Sequence, residues 1–280
     1  MDITGFVPKQ ALPFDSRLFD IIGADETLTI ANHEMTLLPP FPPGAIIHDA
    51  ACGLGPVTRS ILETSPPSDI KIHATDAAPA MVGIYNQAAS AGNWPVKAEV
   101  MDAQHLTFPD AAFSHTFVSF GLPIINDPVA AAREMYRTLA PGGTAVTAFW
   151  LQVSQGECAK ETRKAVWGPD AHIAIEPKPQ HKDRAFLRSL LVQGGFAFAD
   201  VRPYEKSAFL SIQDLDEFAT AVWTAIGRPP GGWTAEDEEK WELAVATYKT
   251  LLEKKRGYHV DGDGNVTLEA IAQICIVKKA

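Results

Sequence analysis

The segment between residues 45 and 150 alternates short, apolar, β-branched stretches with amphipathic stretches of helical period. The predicted strands cover residues 45–50, 70–75, 96–101, 113–120 and 144–150. The predicted helices cover residues 56–63, 79–91 and 127–139. Because regular alternation of this kind is typical of doubly wound parallel sheets, it predicts an α/β fold with helices on both faces of one sheet.

The flanking segments follow a less regular pattern. Residues 1–38 are partly helical in period, and residues 151–182 show no clean period. Further helices are predicted at residues 183–193, 212–226 and 234–255, and strands at residues 196–204 and 266–277. We interpret the whole chain, residues 1–280, as one domain. Its predicted parts are a helical cover at residues 1–40, a core at 45–150, a second cover at 151–182, and closing helices and strands at 183–280.

Ligands of an open parallel sheet bind beyond the carboxyl ends of its strands. The residues at those ends are Asp49, Ala51, Cys52, Gly53 and Gly55 at the first strand, Asp76 at the second, Asp102 and Ala103 at the third, Ser119 and Phe120 at the fourth, and Trp150 at the fifth. This ordered set of acids, glycines and small residues predicts a ligand site along that edge.

The residues at these strand ends suit the binding of an adenosine group. Gly53 and Gly55 allow a tight turn and a close approach of the backbone to a ligand. Asp76 follows Gly55 by 21 residues, a spacing that suits a carboxylate holding two ribose hydroxyls. Asp102 can accept a hydrogen bond from the exocyclic amine of adenine, and the backbone N–H of Ala103 can reach a ring nitrogen.

The same loop argues against a phosphate ligand. Thr58 stands where a dinucleotide fingerprint has its third glycine, and Pro56 removes one N–H that a pyrophosphate needs. The Lys-Ser/Thr pair of an ATP-binding loop is absent from this position. The acidic Asp49 before the turn favours a cationic group, such as the α-ammonium of a methionine moiety.

These motifs resemble those of the class I S-adenosylmethionine-dependent methyltransferases. Residues 49–55 are similar to the first motif, D-x-G-x-G-x-G, and Asp76 with Met81 five residues later is similar to the acidic second motif. Residues 113–127 resemble the fourth-strand motif, and residues 133–143 resemble R-E-x-x-R-x-L-x-P-G-G. The resemblance covers residues 45–150 well and residues 183–204 and 266–278 loosely. It is nearest to the small-molecule branch of ubiquinone/menaquinone-biosynthesis and natural-product enzymes.

The resemblance implies a Rossmann-like, seven-stranded sheet, mostly parallel with an antiparallel last strand. It implies S-adenosyl-L-methionine as cofactor and S-adenosyl-L-homocysteine as product. The implied cofactor-binding residues are Asp49, Ala51, Cys52, Gly53, Asp76, Ala77, Met81, Asp102, Ala103, Ser119 and Phe120. The sequence departs from the family pattern at Ala51, which replaces a glycine, at Ser114, which replaces an aspartate, and at Pro123, where many members carry histidine.

An acceptor pocket is predicted under the two covers. The candidate substrate-binding residues are Phe14, Phe19, Phe120 and Trp150, and His172 is the candidate catalytic residue. Since Pro123 removes one candidate base, the use of a general base stays open. The expected reaction is methyl transfer to an O, N or S atom of a small, partly apolar metabolite in secondary metabolism. The alternative is a protein of this fold that binds the cofactor or its product and catalyses a non-methylating reaction or acts as a partner subunit.

Composition narrows the classes of partner. Acidic residues outnumber basic residues by 34 to 24, for a formal net charge of −10, which disfavours nucleic acid and hence a macromolecular substrate of that kind. Three scattered cysteines do not suit a disulfide framework or a metal site. No apolar run reaches the length of a membrane span, and no signal peptide is visible. We therefore expect a cytoplasmic monomer or homodimer that binds no metal, membrane or nucleic acid.

Overall fold

The computed structural model describes residues 5–280 apart from the side chain of Ala24, so residues 1–4 of the first predicted cover lie outside the described residues. The helices are α1 (Ser16–Ile22), α2 (Ala24–Thr36), α3 (Pro56–Glu63), α4 (Pro79–Ala91), α5 (Pro128–Thr138), α6 (Ser154–Trp167), α7 (Phe186–Gly194), α8 (Leu215–Ile226), α9 (Ala235–Glu239) and α10 (Trp241–Leu252). The strands are β1 (Ile46–Ala50), β2 (Lys71–Asp76), β3 (Ala98–Val100), β4 (Phe113–Ser119), β5 (Leu139–Gln152), β6 (Arg202–Ile212), β7 (His259–Val260) and β8 (Val266–Lys278).

One sheet runs in the order β3-β2-β1-β4-β5-β8-β6. Strands β1 to β5 pair in parallel, and the short β7 pairs antiparallel with β8. The expected mixed α/β sheet, mostly parallel with antiparallel C-terminal strands, is confirmed. The sheet of the described residues has eight strands instead of seven, because β7 adds a two-residue arm before the turn at residues 261–264. The chain order reverses beside β1, which lies between β2 and β4, and such a reversal places the ligand crevice at the carboxyl ends of β1 and β4.

The chain forms two compact units. The sheet unit comprises Thr27–Leu151, Gln180–Lys206 and Ala272–Ala280, and the helical unit comprises the described residues up to Glu26 together with Gln152–Pro179 and Ser207–Ile271. The predicted core at residues 45–150 lies in the sheet unit. None of residues 5–280 belongs to a helix long and apolar enough to cross a membrane.

Helices α5 and α7 approach each other closely in the core of the sheet unit. A Cβ atom on Gly194 would lie 2.6 Å from the Cβ of Ala132, so this crossing requires glycine on α7. Asp127 caps α5 by accepting hydrogen bonds from the backbone N–H groups of Val129 and Ala130. These local contacts place α5 against the apolar cluster that includes Met135.

The R-E-x-x-R segment of α5 has a structural role. Arg137 donates to the carboxylates of Glu134 and Asp110, at 2.7 Å each, and to the carbonyl oxygens of Leu106 and Phe108. The three partners in the loop between β3 and β4, Leu106, Phe108 and Asp110, tie that loop to α5. The segment therefore fixes the loop that begins at the end of β3, where part of the predicted ligand site lies.

The helical unit packs around large aromatic side chains. Trp223, Trp241, Tyr248 and Phe218 are fully buried in one cluster. The prediction of one continuous helix at residues 234–255 is wrong, because the helix is interrupted at Lys240, which separates α9 from α10. The predicted strand at residues 196–204 is wrong at its start, because a 3-10 turn at Phe198–Asp200 precedes β6.

Candidate functional site

The loop after β1 turns sharply through three residues of positive φ. Ala51 has φ 52°, Gly53 has φ 52° and Gly55 has φ 85°. The backbone N–H of Cys52 donates to the carbonyl oxygen of Thr75 at 3.0 Å, which joins the loop to the end of β2. A left-handed backbone is easily adopted by glycine and is costly for alanine. Gly53 and Gly55 therefore suit their conformation, whereas Ala51 is strained.

Asp76 is held rigidly at the end of β2. Its Oδ2 accepts a hydrogen bond from the backbone N–H of Gly53, and its Oδ1 accepts one from the backbone N–H of Ala78, each at 2.9 Å. The carboxylate is half-buried, and a Cβ atom built on Gly53 would meet nothing within 4 Å. The structure thus presents an oriented carboxylate beside open space over a bare backbone. Each oxygen keeps acceptor capacity for a ligand.

Asp49 lies behind the loop and is almost fully buried. Its Oδ2 accepts from the backbone N–H and the hydroxyl of Thr58, at 3.1 and 2.7 Å, and Tyr85 donates to the Thr58 hydroxyl at 2.9 Å. Burial raises the pKa of the Asp49 carboxyl to about 7. In the described residues this carboxyl fastens β1 to the start of α3, and its direct contact with a cationic ligand group stays a prediction.

Asp102 and Ala103 follow β3 as predicted, and Gln104 contacts Asp102 as well. Gln104 donates to Asp102 from its backbone N–H and from its side-chain amide, at 2.9 Å in each case. These hydrogen bonds lower the pKa of Asp102, whose side chain is 45% exposed. Gln104 was missed by the sequence reasoning, although an amide two residues after a strand-end acid is a signal for such a contact. An adenine amine would share Asp102 with this amide.

The ends of β4 and β5 carry an aromatic pair. The rings of Phe120 and Trp150 lie 4.5 Å apart between centroids, at an interplanar angle of 31°. Phe120 adopts a positive φ of 62° directly after β4. Both residues are half-buried, as are Ser119 and Met81, whereas Ala77 is exposed. The edge therefore offers an apolar surface beside the polar residues of the first three strands.

Glu34 is a second residue near the site, besides Gln104, that the sequence pattern does not predict. It lies on α2 with none of its surface exposed, and its Oε1 accepts a hydrogen bond of 2.7 Å from the hydroxyl of Ser119. Burial raises the pKa of Glu34 to about 8, and the negative charge of Asp49 contributes. A signal was present, because Glu34 follows the buried Ile30 by four residues and so lies on the buried face of α2.

Three predicted residues lie in the helical unit. Phe14 and Phe19 contact each other edge to face, with ring centroids 5.1 Å apart. His172 has a side chain that is 57% exposed, and its Nδ1 lies 2.7 Å from the Glu176 carboxylate. The contact of these three residues with an acceptor stays a prediction.

A model of a family described as methyltransferase domain matches residues 47–143, which run from the second residue of β1 into β5 and include Asp49, Gly53 and α5. The chain is 25% identical to methyltransferase tpcH of Aspergillus fumigatus over 84% of each chain. It is 36% identical to demethylmenaquinone methyltransferase of Thermus thermophilus over 36% of this chain and 44% of that protein. These matches support the assignment of residues 47–143 to a class I S-adenosylmethionine-dependent methyltransferase domain.

Solved structures support the fold of the chain. The crystal structure of the [4+2]-cyclase SpnF matches with a TM-score of 0.52 and 18% identity, over 92% of this chain and 82% of that one. At this level of identity the match concerns the fold alone. It shows that the sheet described above has the Rossmann-like α/β fold of these structures.

Ala51 and Gly121 form a steric pair at the edge of the candidate site. A Cβ atom on Gly121 would lie 2.6 Å from the Cβ of Ala51, and its other near neighbour, Val118, would lie at an ordinary 3.5 Å. Gly121→Ala should therefore lower the free energy of unfolding by about 1–3 kcal/mol through overpacking. Ala51→Gly should remove a left-handed alanine that costs about 1–2 kcal/mol and, where Gly121→Ala is also present, the clash between the two Cβ atoms.

A double-mutant cycle measured by urea unfolding tests this pair. In the Ala51→Gly background, Gly121→Ala should cost less than about 1 kcal/mol, because its one close neighbour is gone. Additive effects of the two substitutions would show that Ala51 is not the obstacle.

Proposed function

We propose that this methyltransferase moves the methyl group of S-adenosylmethionine to an O, N or S atom of a small, partly apolar metabolite in secondary metabolism. The observation that carries the proposal is the oriented Asp76 carboxylate beside the open backbone of Gly53. The half-buried pair of Phe120 and Trp150 on the same sheet edge supports an acceptor with apolar surface.

The residues present fit the methyl donor. Asp76 would hold the ribose hydroxyls, Asp102 and Ala103 would hold the adenine, and the open space at Gly53 would admit the ligand close to the backbone. Ala51, Cys52, Ala77, Met81, Ser119 and Phe120 would complete the binding surface. When bound, the donor supplies a methyl group on an activated sulfonium sulfur.

The protein's own contribution is then mainly orientation. Holding two reactants in line contributes about 7–11 kcal/mol to lowering a barrier. In this chain the carboxylate of Asp76 is fixed by two backbone N–H groups, and the rings of Phe120 and Trp150 are fixed against each other. His172 is proposed as the base for an acceptor hydroxyl, with Glu176 orienting its ring.

The printed names of relatives support a small acceptor. Demethylmenaquinone methyltransferase is named for a quinone substrate. An acceptor of that class is largely apolar and carries few polar atoms, which agrees with the aromatic character of Phe120, Trp150, Phe14 and Phe19. An O, N or S atom of such an acceptor carries a lone pair that can attack the methyl carbon of the sulfonium.

A non-methylating reaction is the second candidate. SpnF is named a [4+2]-cyclase and has a similar fold. In this chain Ala51 in place of glycine and Pro123 in place of histidine favour this candidate, because they alter the loop and remove a base.

Mass spectrometry with a donor carrying a deuterated methyl group separates the two candidates. The methyltransferase is incubated with a panel of hydroquinones, thiols and amines, and the Asp76→Ala variant is the control. We expect one acceptor class to gain a labelled methyl group with the wild-type protein, and less with the variant. Binding of the donor without labelling of any panel compound or of a metabolite extract would favour the non-methylating candidate.

A further inference from the structure

Two carboxyl groups lie buried beneath the proposed methyl-donor site. Glu34 on α2 and Asp49 on β1 are both almost fully buried. Glu34 receives one hydrogen bond through Oε1 from Ser119, and its Oε2 has no hydrogen-bond partner. Asp49 is held by Thr58. No cation of the described residues is among the causes that shift the pKa of either carboxyl, so the raised pKa values are not offset by a nearby positive charge.

The surrounding groups do not supply that charge either. Asp76 faces Asp49 and adds further negative charge. Cys52 and Tyr85 also lie close to Asp49, and burial raises the pKa of the thiol and of the phenol, which keeps both neutral. On α2 itself, His33 interacts with Lys206 and has a lowered pKa because it is partly buried.

The two buried carboxyls resist simultaneous ionisation. Like charges in a poorly solvated site disfavour each other, so such a pair retains a proton until a cation approaches. Glu34, with a pKa of about 8, is mainly protonated at neutral pH, while Asp49 has a pKa of about 7. A positively charged ligand near Asp49 would favour loss of the proton from Glu34.

We propose that Glu34 is a positioning residue that makes the site favour the positively charged methyl donor over its neutral product. This inference rests on the proposed function. Glu34 accepts a hydrogen bond from the Ser119 hydroxyl at the end of β4 and so orients it. Glu34 and Asp49 also interact electrostatically, and together they make the potential at the site more negative. It supplies negative charge from behind the site and need not touch the ligand.

The charge difference follows from the chemistry of the transfer. The donor carries a sulfonium, an ammonium and a carboxylate, and therefore one net positive charge. When the acceptor atom bonds to the methyl carbon, the S–C bond breaks and its electron pair stays on sulfur, while the acceptor's proton leaves to solvent or a base. The product thioether is neutral, so the product has no net charge. A buried negative charge thus favours binding of the donor and release of the product.

Calorimetric titrations with S-adenosylmethionine and S-adenosylhomocysteine test the inference. For the wild-type protein we expect donor affinity to rise several-fold between about pH 6.5 and about pH 8.5. Binding of a cation favours the ionised carboxyl of Glu34, so donor affinity rises with pH. The rise levels off above the pKa that Glu34 has in the ligand-free protein. Product affinity should change less over the same range. Glu34→Gln, which keeps an acceptor for Ser119, should lower the ratio of donor to product affinity by about tenfold and flatten the pH dependence.

Glu26→Gln is the matched control. Glu26 is also buried, has a pKa raised to about 7 by burial, and accepts a hydrogen bond of 2.9 Å from Gln155 in the helical unit. This variant should leave the affinity ratio and its pH dependence unchanged. Equal weakening of both ligands by Glu34→Gln would mean a purely structural role and would overturn the inference, as would an unchanged ratio.

A second measurement keeps the test decisive if Glu34→Gln does not fold. Titration of the wild-type protein in two buffers of different ionisation enthalpy counts the protons released on binding. We expect proton release near neutral pH with the donor and less with the product. Equal release with both ligands contradicts the role of Glu34. If the wild-type protein binds neither ligand, the proposed function itself fails.

Discussion

Asp76→Ala should weaken binding of S-adenosylhomocysteine by about 1.5–3 kcal/mol, or about 10- to 150-fold, in a calorimetric titration. The wild-type carboxylate is oriented by the backbone N–H groups of Gly53 and Ala78, so it is ready to accept from two ribose hydroxyls. Alanine removes those charged hydrogen bonds. It also frees the N–H of Gly53, which loosens the loop after β1.

Asp102→Ala is the comparison for this result. Asp102 is more exposed and already accepts from Gln104, and the backbone N–H of Ala103 stays in place in the variant. Asp102→Ala should therefore lower the affinity for S-adenosylhomocysteine by less than Asp76→Ala does. A folded Asp76→Ala protein that binds the product as tightly as the wild-type protein would remove Asp76 from the site.

Asp237→Ala should lower the free energy of unfolding by about 3–5 kcal/mol, measured by urea unfolding. The Asp237 carboxylate is completely buried, and its Oδ1 lies 2.5 Å from Nη1 of Arg163, whose side chain is 6% exposed. Its Oδ2 accepts from the backbone N–H and hydroxyl of Thr234 in a capping box at the start of α9. The substitution leaves the buried Arg163 guanidinium without its carboxylate partner and also removes the side-chain half of the capping box that Asp237 supplies.

Two further variants separate these contributions. Arg163→Met leaves the capping box in place, so its effect reports the unpaired charge of Asp237. Arg17→Gln removes an exposed ion pair with Glu217 of similar length, 2.6 Å, and should cost less than about 1 kcal/mol because solvent screens it. If Asp237→Ala unfolded at the same urea concentration as Arg17→Gln, the buried pair would not stabilise the helical unit.

Sequence patterns predicted the core of the sheet unit closely, for local reasons. Helices α3 and α4 begin at Pro56 and Pro79 as expected, since proline suits the first turn of a helix. Helix α6 was not predicted. Its buried positions include Gln155, Thr162 and Arg163, so its inner face lacks the apolar period on which such a prediction depends.

Sequence patterns also indicate some residues of the candidate site and leave others unrecognised. Asp76 and Asp102 were recognisable because strand ends and spacing are local properties of the sequence. Glu34 was not, because its burial depends on Ser119, which lies 85 positions away along the chain. Asp49 was recognised as a site residue, but its contact with Thr58 follows from the folded loop. Contacts of this kind depend on tertiary packing, which periodicity does not encode.

A crystal structure of the complex with S-adenosylhomocysteine would show directly whether Asp76 holds the ribose. We expect the two ribose hydroxyl oxygens within about 3 Å of the Asp76 carboxylate. We also expect the adenine beside Ala103 and the ligand over the backbone of Gly53. A ligand bound elsewhere, or one whose ribose makes no contact with Asp76, would contradict this role of Asp76.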